Sequence, residues 1–292
     1  MSSVKRTLSD VEKNRVEAGK LYLVATPIGN LADLSERAIK VLSEVDFIAA
    51  EDTRNSMRLL SHLDIHKPMV SYFEHNKRER GEQILERLRG GESCALITDA
   101  GTPAISDPGE DLVALCAENG VPVTSVPGAV ASITALTLSG LPTGRFCFEG
   151  FLSTNKAERR QRLDELKTEK RTMLFHEAPH KLKNTLDDFC KAFGSERRIA
   201  ICRELTKLNE EVLRLTLAEA VEFYKSTEPR GEYVLVLDGA SQDAASAAFW
   251  SDMDIPAHVS HYVSLGLPKM DAIKQAAKDR GVAKNEVYKA VL

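Results

Sequence analysis

The sequence predicts an α/β protein with a mostly parallel N-terminal sheet, a more mixed C-terminal sheet and a small helical tail. Short apolar runs alternate with segments of helical periodicity from residue 21 to residue 126, which is the pattern of a parallel sheet covered by helices. The texture changes at residues 140–150, where a Gly-Leu-Pro-Thr-Gly turn leads into a new strand and a charged helix. At 292 residues the chain also exceeds one average domain of roughly 100–200 residues.

Residues 1–18 are polar and read as a flexible leader. The N-terminal domain, residues 19–145, opens with an apolar run at 21–25 that ends in Thr26-Pro27-Ile28-Gly29-Asn30, a buried strand followed by a turn. A helix follows from Ser35, and residues 47–50, 69–73, 94–98 and 121–126 are the next strands. The C-terminal domain, residues 146–240, has strands at 146–151, 172–176, 198–203, 211–216 and 232–238, with helices at 155–170, 180–193 and 217–224. Residues 241–256 are small and polar and read as a linker. In the tail, residues 257–292, Ile273, Ala276 and Ala277 share a helix face, Gly281 stops that helix, and another begins at Asn285, a helix-turn-helix-like unit.

Composition bounds the function. The chain is 43% hydrophobic and 28% charged, an ordinary balance for a folded globular protein. Cys94, Cys116, Cys147, Cys190 and Cys202 are odd in number and lack a CxxC pair, as expected of thiols in a reducing compartment. No apolar run approaches the roughly 18 residues of a membrane helix, so a cytoplasmic address without a membrane partner is expected. The net charge of −4 means that any nucleic-acid partner must be met by local positive charge.

In an open parallel sheet, ligands bind beyond the carboxyl ends of the strands. The loop Thr98-Asp99-Ala100-Gly101-Thr102-Pro103-Ala104-Ile105-Ser106-Asp107-Pro108-Gly109 is the richest of these segments. Ala100 and Gly101 permit close backbone approach, while Pro103 and Pro108 stiffen the loop. Asp107 and Glu110 also fit a helix start with a capping box, whereas Asp99 has no such local task. Thr26–Asn30 fits a plain turn as well as a binding loop. Glu51-Asp52-Thr53-Arg54 and Glu74-His75-Asn76 lie at strand ends, where Asp52, Thr53 and Asn76 also suit helix caps. Val126-Pro127-Gly128 starts a helix with small residues. His176, Glu177 and His180 lack a metal-ligand spacing, so no metal is expected. No G-x-G occurs, which excludes the usual dinucleotide fingerprint.

Five ordered motifs resemble the tetrapyrrole-methylase superfamily: Val24-Ala25-Thr26-Pro27-Ile28-Gly29-Asn30-Leu31, Ala50-Glu51-Asp52-Thr53-Arg54, the Asp99 to Gly109 loop, Val126-Pro127-Gly128, and Cys202-Arg203-Glu204-Leu205-Thr206-Lys207. The resemblance spans residues 19–239 and is greatest to the branch that methylates a cytidine 2′-hydroxyl in small-subunit (16S) ribosomal RNA. It implies a two-domain tetrapyrrole-methylase-like fold, a homodimer, and S-adenosylmethionine held between the domains. Carried over by motif, the cofactor would meet Pro27, Asp99, Ala100, Gly101, Ile105, Ser106, Asp107, Ala131 and Ser132 from the first domain. From the second it would meet Phe175, Glu177, Glu204, Gly231, Glu232 and Tyr233.

The chemistry so implied is displacement of the sulfonium methyl by a ribose hydroxyl, which rests on alignment. A base within about 2.6–3.2 Å would help remove the hydroxyl proton, and Lys207, Glu204, Asp52 and His75 are the candidates. Arg54 and Lys207 are expected to contact RNA near the reaction. Lys274, Lys278 and Lys284 are expected to do so from the tail, which carries a net +3 after Pro256. Two other readings fit parts of the sequence: the same fold acting on a tetrapyrrole or a modified protein side chain, and a non-catalytic nucleic-acid-binding regulator. The tail and the Glu-Asp-Thr-Arg motif favour RNA, and intact loops in both halves favour catalysis.

Overall fold

The computed structural model describes residues 15–240, 250 and 253–291. Most of the expected leader (residues 1–14) and most of the expected linker (241–249, 251 and 252) lie outside the described residues.

The first sheet consists of β1 (Leu21–Val24), β2 (Phe47–Ala50), β3 (Met69–Ser71), β4 (Cys94–Ile97) and β5 (Val123–Val126), in the order β3-β2-β4-β1-β5. Every pairing is parallel, so all five carboxyl ends emerge on one side. The helices α1 (Glu36–Glu44), α2 (Thr53–His62), α3 (Lys77–Arg89) and α4 (Gly109–Glu118) return the chain between strands. Val24, Val41, Leu42, Ile48 and Ile97 close one face of the sheet, while Leu21, Phe47, Leu85, Leu96 and Leu112 close the other. Burial on both faces explains why β2 and β4 read as unbroken apolar runs rather than alternating ones.

β3 and β5 are shorter than their apolar runs. Asn76 Oδ1 accepts the Phe73 N–H and turns the chain after β3. Before β5, the Pro122 carbonyl accepts from Leu21 N–H, but the proline ring has no N–H to give the ladder.

The second sheet has the order β6-β7-β10-β8-β9: β6 (Phe146–Gly150), β7 (Thr172–Glu177), β8 (Arg198–Arg203), β9 (Glu211–Thr216) and β10 (Tyr233–Leu237). Only β6 and β7 run parallel, so the sheet is mixed as expected. One face packs against α6 (Lys156–Glu165), α7 (Pro179–Phe193) and α8 (Leu217–Ser226) through Phe175, Leu182, Phe189 and Leu217. The helix expected over 155–170 stops at Glu165 and tightens into a 3₁₀ turn, Leu166–Thr168, with Leu163 and Leu166 both buried. The other face packs against α5 (Ala131–Ser139), whose Ala135 and Leu136 meet Leu174, Ala200 and Val234. α5 follows the last strand of the first sheet yet covers the second, and this joins the two halves.

The tail is a three-helix unit, α9 (Ile255–Ser264), α10 (Lys269–Arg280) and α11 (Lys284–Val291), around Val259, Ile273, Ala276, Ala277 and Val287. The expected pair of helices is therefore joined by a third, which begins inside the segment read as a linker. Asp254 caps it by accepting the Ala257 N–H, and Pro256 sits in its first turn, where no N–H is needed. Among the described residues, no helix is long and apolar enough to cross a membrane. All five cysteines are free.

Candidate active site

The carboxyl ends of β1, β2, β4 and β5 carry the loops picked out from sequence, and backbone pairing ties two of them together. Thr26 and Gly101 exchange N–H···O bonds at 2.9 and 3.1 Å, and Thr26 Oγ1 donates to the Thr98 carbonyl at 3.1 Å. Pro27 thus leaves β1 directly beside the Gly101 turn.

Within the 98–109 loop, Asp107 organises the main chain. Its carboxylate accepts from the N–H groups of Ala104 (3.1 Å), Ile105 (3.1 Å) and Gly109 (2.7 Å). The expected capping box with Glu110 does not form, because α4 starts at Gly109 and Asp107 spends its oxygens on the preceding loop as well as on the first helical N–H. Held this way, Ala104 and Ser106 take left-handed backbone angles (φ 67° and 62°), a conformation that non-glycine residues rarely adopt and that concentrates at functional sites. Ile105, between them, is exposed.

The acidic groups of neighbouring loops converge. Asn55 Nδ2 donates to Asp99 Oδ2 at 3.3 Å, and Glu51 accepts from the Asp99 main chain. Partial burial raises the pKa of Glu51 above the usual range, and the charges of Asp99, Asp107 and Asp52 raise it further. Glu51 is absent from the bases expected on sequence. Its position at the end of β2 is legible there, but the convergence of four carboxylates from two loops, after β2 and after β4, is not.

The second domain contributes the 204–207 turn. Glu204 and Thr206 are also left-handed (φ 51° and 66°). Lys207 Nζ donates to Glu204 Oε1 and Glu232 Oε2, each at 2.8 Å, and Glu232 N–H donates to Glu204 Oε1 at 3.0 Å. Burial opposes the charge on Lys207, but hydrogen bonds to the two carboxylates outweigh it and hold the ammonium pKa above its ordinary value. The same bond from Lys207 lowers the pKa of Glu204. The pairing favours the charged forms of both Lys207 and Glu204. Lys207 is half-buried, and its partner Glu232 is exposed.

Two close approaches bring the domains together here. A methyl group at Gly29 would stand 2.4 Å from Lys207 Cγ, and one at Gly150 would stand 3.4 Å from Ser106 Oγ. Gly231 lies against Glu204 with equally little room. Pro27, Asp99 to Gly101, Ile105 to Asp107, Glu204, Gly231 and Glu232 thus share one region.

The remaining expected residues divide. Asp52 caps α2 by accepting the Arg54 N–H at 2.8 Å and also pairs with the Arg54 guanidinium at 3.3 Å. Those bonds lower its pKa, while the Arg54 side chain stays 89% exposed. His75 is exposed and follows β3, three strand positions from β1, or roughly 14 Å at the usual strand spacing. Ala131 and Ser132 open α5 between the sheets.

Phe175 and Glu177 point into the second domain's core. The Phe175 ring packs on Phe189 at 4.8 Å, and buried Glu177 accepts from Thr185 Oγ1 and the Ala178 N–H. Any ligand contact from these two falls to their main chain. Side chains alternate along a strand, so His176 faces the opposite way. It packs edge-on against Phe148 and Phe151, and its buried Nε2 has no hydrogen-bond partner among the described residues. Tyr233 is buried, with its hydroxyl accepting from Arg230 N–H. No group of side chains among the described residues could hold a metal ion.

Residues 20–221 match the family model of tetrapyrrole (corrin/porphyrin) methylases. The ribosomal RNA small subunit methyltransferase I of Halalkalibacterium halodurans is 48% identical over 277 residues, covering 94% of this chain and 96% of that protein. The proteins of the same name from Bacillus subtilis and Escherichia coli O157:H7 are 45% and 41% identical, each over 94% of this chain and over 94% and 95% of their own length. Solved structures of diphthine synthase (TM-score 0.58, 14% identity, 75% of this chain and 90% of that one) and of cobalt precorrin-4 methyltransferase (0.56, 18%, 75% and 95%) share the fold. So does a uroporphyrin-III C-methyltransferase from Thermus thermophilus complexed with S-adenosyl homocysteine (0.52, 19%, 75% and 97%). The chain belongs to the tetrapyrrole (corrin/porphyrin) methylase family.

Proposed function

We propose that this protein transfers a methyl group from S-adenosylmethionine to the 2′-hydroxyl of a cytidine ribose in small-subunit ribosomal RNA. The observation that carries the reading is near full-length identity of 41–48% to proteins named for small-subunit ribosomal RNA methylation, with the loops of both domains intact. The residues present fit the cofactor. Glu51, Asp99 and Asp107 make a negative setting for its sulfonium and ammonium charges, and exposed Ile105 offers an apolar face to a nucleoside. When bound, S-adenosylmethionine supplies an electrophilic methyl group.

The chain's own contribution is orientation and proton handling. Asp107 fixes the loop that receives the nucleoside, and the Lys207, Glu204 and Glu232 network fixes the facing turn. Glu51 joins the candidate bases, since its raised pKa brings it nearer the working pH than Asp52 or Glu204. Exposed Arg54 at the cleft, and Lys274, Lys278 and Lys284 on the tail, are the RNA contacts of this reading. A homodimer and a cytoplasmic location belong to it as well. Leu31 and Leu208, 47% and 99% exposed, support a further surface contact beside the cleft.

The test is transfer of labelled methyl from S-adenosylmethionine to small ribosomal subunits lacking their native methylations, followed by mapping of the modified nucleotide. Label on a cytidine ribose is expected. Label on a base, or none despite cofactor binding, refutes the proposal.

A further inference from the structure

We propose that the groove between α6 and α7 is a docking track for the phosphate backbone of the substrate RNA, which rests on the ribosomal RNA reading above. The groove encloses about 900 Å³ and is lined by both helices. Its cations are Lys156, Arg159, Arg160, Lys167, Lys181 and Lys191, against the carboxylates Asp164, Asp187 and Asp188.

Pairing separates structural charges from available ones. Arg159 is committed, with Nε donating to Asp188 at 2.7 Å and Nη2 to Thr185 Oγ1 at 2.8 Å. Lys167 pairs with Asp164. The side chains of Lys156, Arg160, Lys181 and Lys191 have no hydrogen-bonded or ion-paired acceptor among the described residues, although Arg160 is near enough to Asp164 to help lower its pKa, and Lys156, Arg160 and Lys191 are exposed. Elsewhere Lys207 is consumed by two carboxylates and Arg54 is shared with Asp52. In a chain of net charge −4, six cations against three carboxylates leave this groove a local surplus of three positive charges, of the kind a polyanion requires.

Position favours RNA over a free small anion. β6 and β7 are parallel, so α6 and α7 both start at the strands' carboxyl ends. Antiparallel pairing of β10 with β7 and β8 brings Glu177, Arg203 and Tyr233 to that same end, beside Glu204 and Glu232. Gly150, just before α6, approaches Ser106 of the cleft loop. The groove therefore begins at the active-site region and runs away from it. At 1.5 Å per residue, Lys156 and Arg160 are about 6 Å apart along their helix, and Lys181 and Lys191 about 15 Å apart along theirs. Charges strung out over that length match a repeating phosphate chain better than one compact anion.

The test uses the full-length protein carrying Lys156→Gln, Arg160→Gln and Lys191→Gln together, with undermethylated small subunits as substrate. Expected results are an apparent KM raised at least about tenfold and a slope of log affinity against log salt reduced by roughly two to three, at about 0.7–0.9 for each phosphate no longer neutralised. The turnover at saturating substrate, the affinity for S-adenosyl homocysteine and Tm should stay unchanged. Asp187→Lys, which adds positive charge at the rim, should tighten subunit binding severalfold. An unchanged KM and salt slope in the triple variant overturns the groove while leaving the methyltransferase reading intact. Failure of the unaltered protein to bind or methylate the subunits overturns both.

Discussion

Gly29 and Lys207, from different domains, occupy a space that admits no additional carbon: a methyl on Gly29 would lie 2.4 Å from Lys207 Cγ, 2.9 Å from Thr206 Oγ1 and 3.1 Å from the Leu205 carbonyl. Gly29→Ala should therefore displace the 204–207 turn and break the bonds from Lys207 to Glu204 and Glu232. The expected result is a fall in kcat/KM of at least about tenfold together with a Tm loss of several degrees, because Ile28 and Leu205 beside the clash belong to the core that packs α5 against the second sheet. Steady-state kinetics and thermal melting check it, and wild-type kinetics would show that the turn is not part of the site.

Glu51 is held by its environment with a raised pKa, so the folded state binds its proton more tightly than the unfolded state does. Stability from this group is present below the unfolded carboxylate pKa and is lost as pH rises through the folded value. Glu51→Gln should accordingly preserve or raise Tm at neutral pH while lowering turnover. If Glu51 is the base, the acid limb of the pH–rate profile should disappear in the variant. An unchanged limb would assign that titration to another group.

Asp107 and Asp99 are separated by what their carboxylates accept. Asp107→Ala removes the acceptor of three main-chain N–H groups and should cost about 1–3 kcal/mol of stability together with cofactor affinity. Asp99→Ala removes only the 3.3 Å hydrogen bond from Asn55 and should weaken cofactor binding without a change in Tm. Calorimetric titration beside melting curves distinguishes the two, and intact affinity in the Asp99 variant would remove Asp99 from the site.

Thr185 bridges Arg159 and the buried carboxylate of Glu177. Thr185→Val leaves Glu177 without its side-chain donor, an expected loss of about 1–3 kcal/mol measured by denaturant unfolding. Affinity for S-adenosyl homocysteine should be unaffected, because the Glu177 side chain faces the core. A parallel loss of affinity would return Glu177 to the ligand site.

The sequence by itself determined the α/β class, the identity of both sheets and nearly every element. Unbroken apolar runs such as Phe47–Ala50 and Cys94–Ile97 fit strands buried on both faces, and Ser35 marks where a helix begins, whereas the helix that Asp254 caps lay hidden in a segment with a linker's composition. It also determined which strand ends carry the conspicuous loops, because a loop's composition is a local property. What each of those side chains does was decided by tertiary structure. Lys207 reads as a free base or a free cation until Glu232, 25 residues away, closes on it, and Glu51 reads as a surface acid until Asp99 and Asp107 arrive from another strand. Which of Phe175, His176 and Glu177 faces the cleft depends on how α5 and α7 sandwich β7. Proton affinity and pairing arise from distances between groups remote in sequence, and only the folded chain sets those distances.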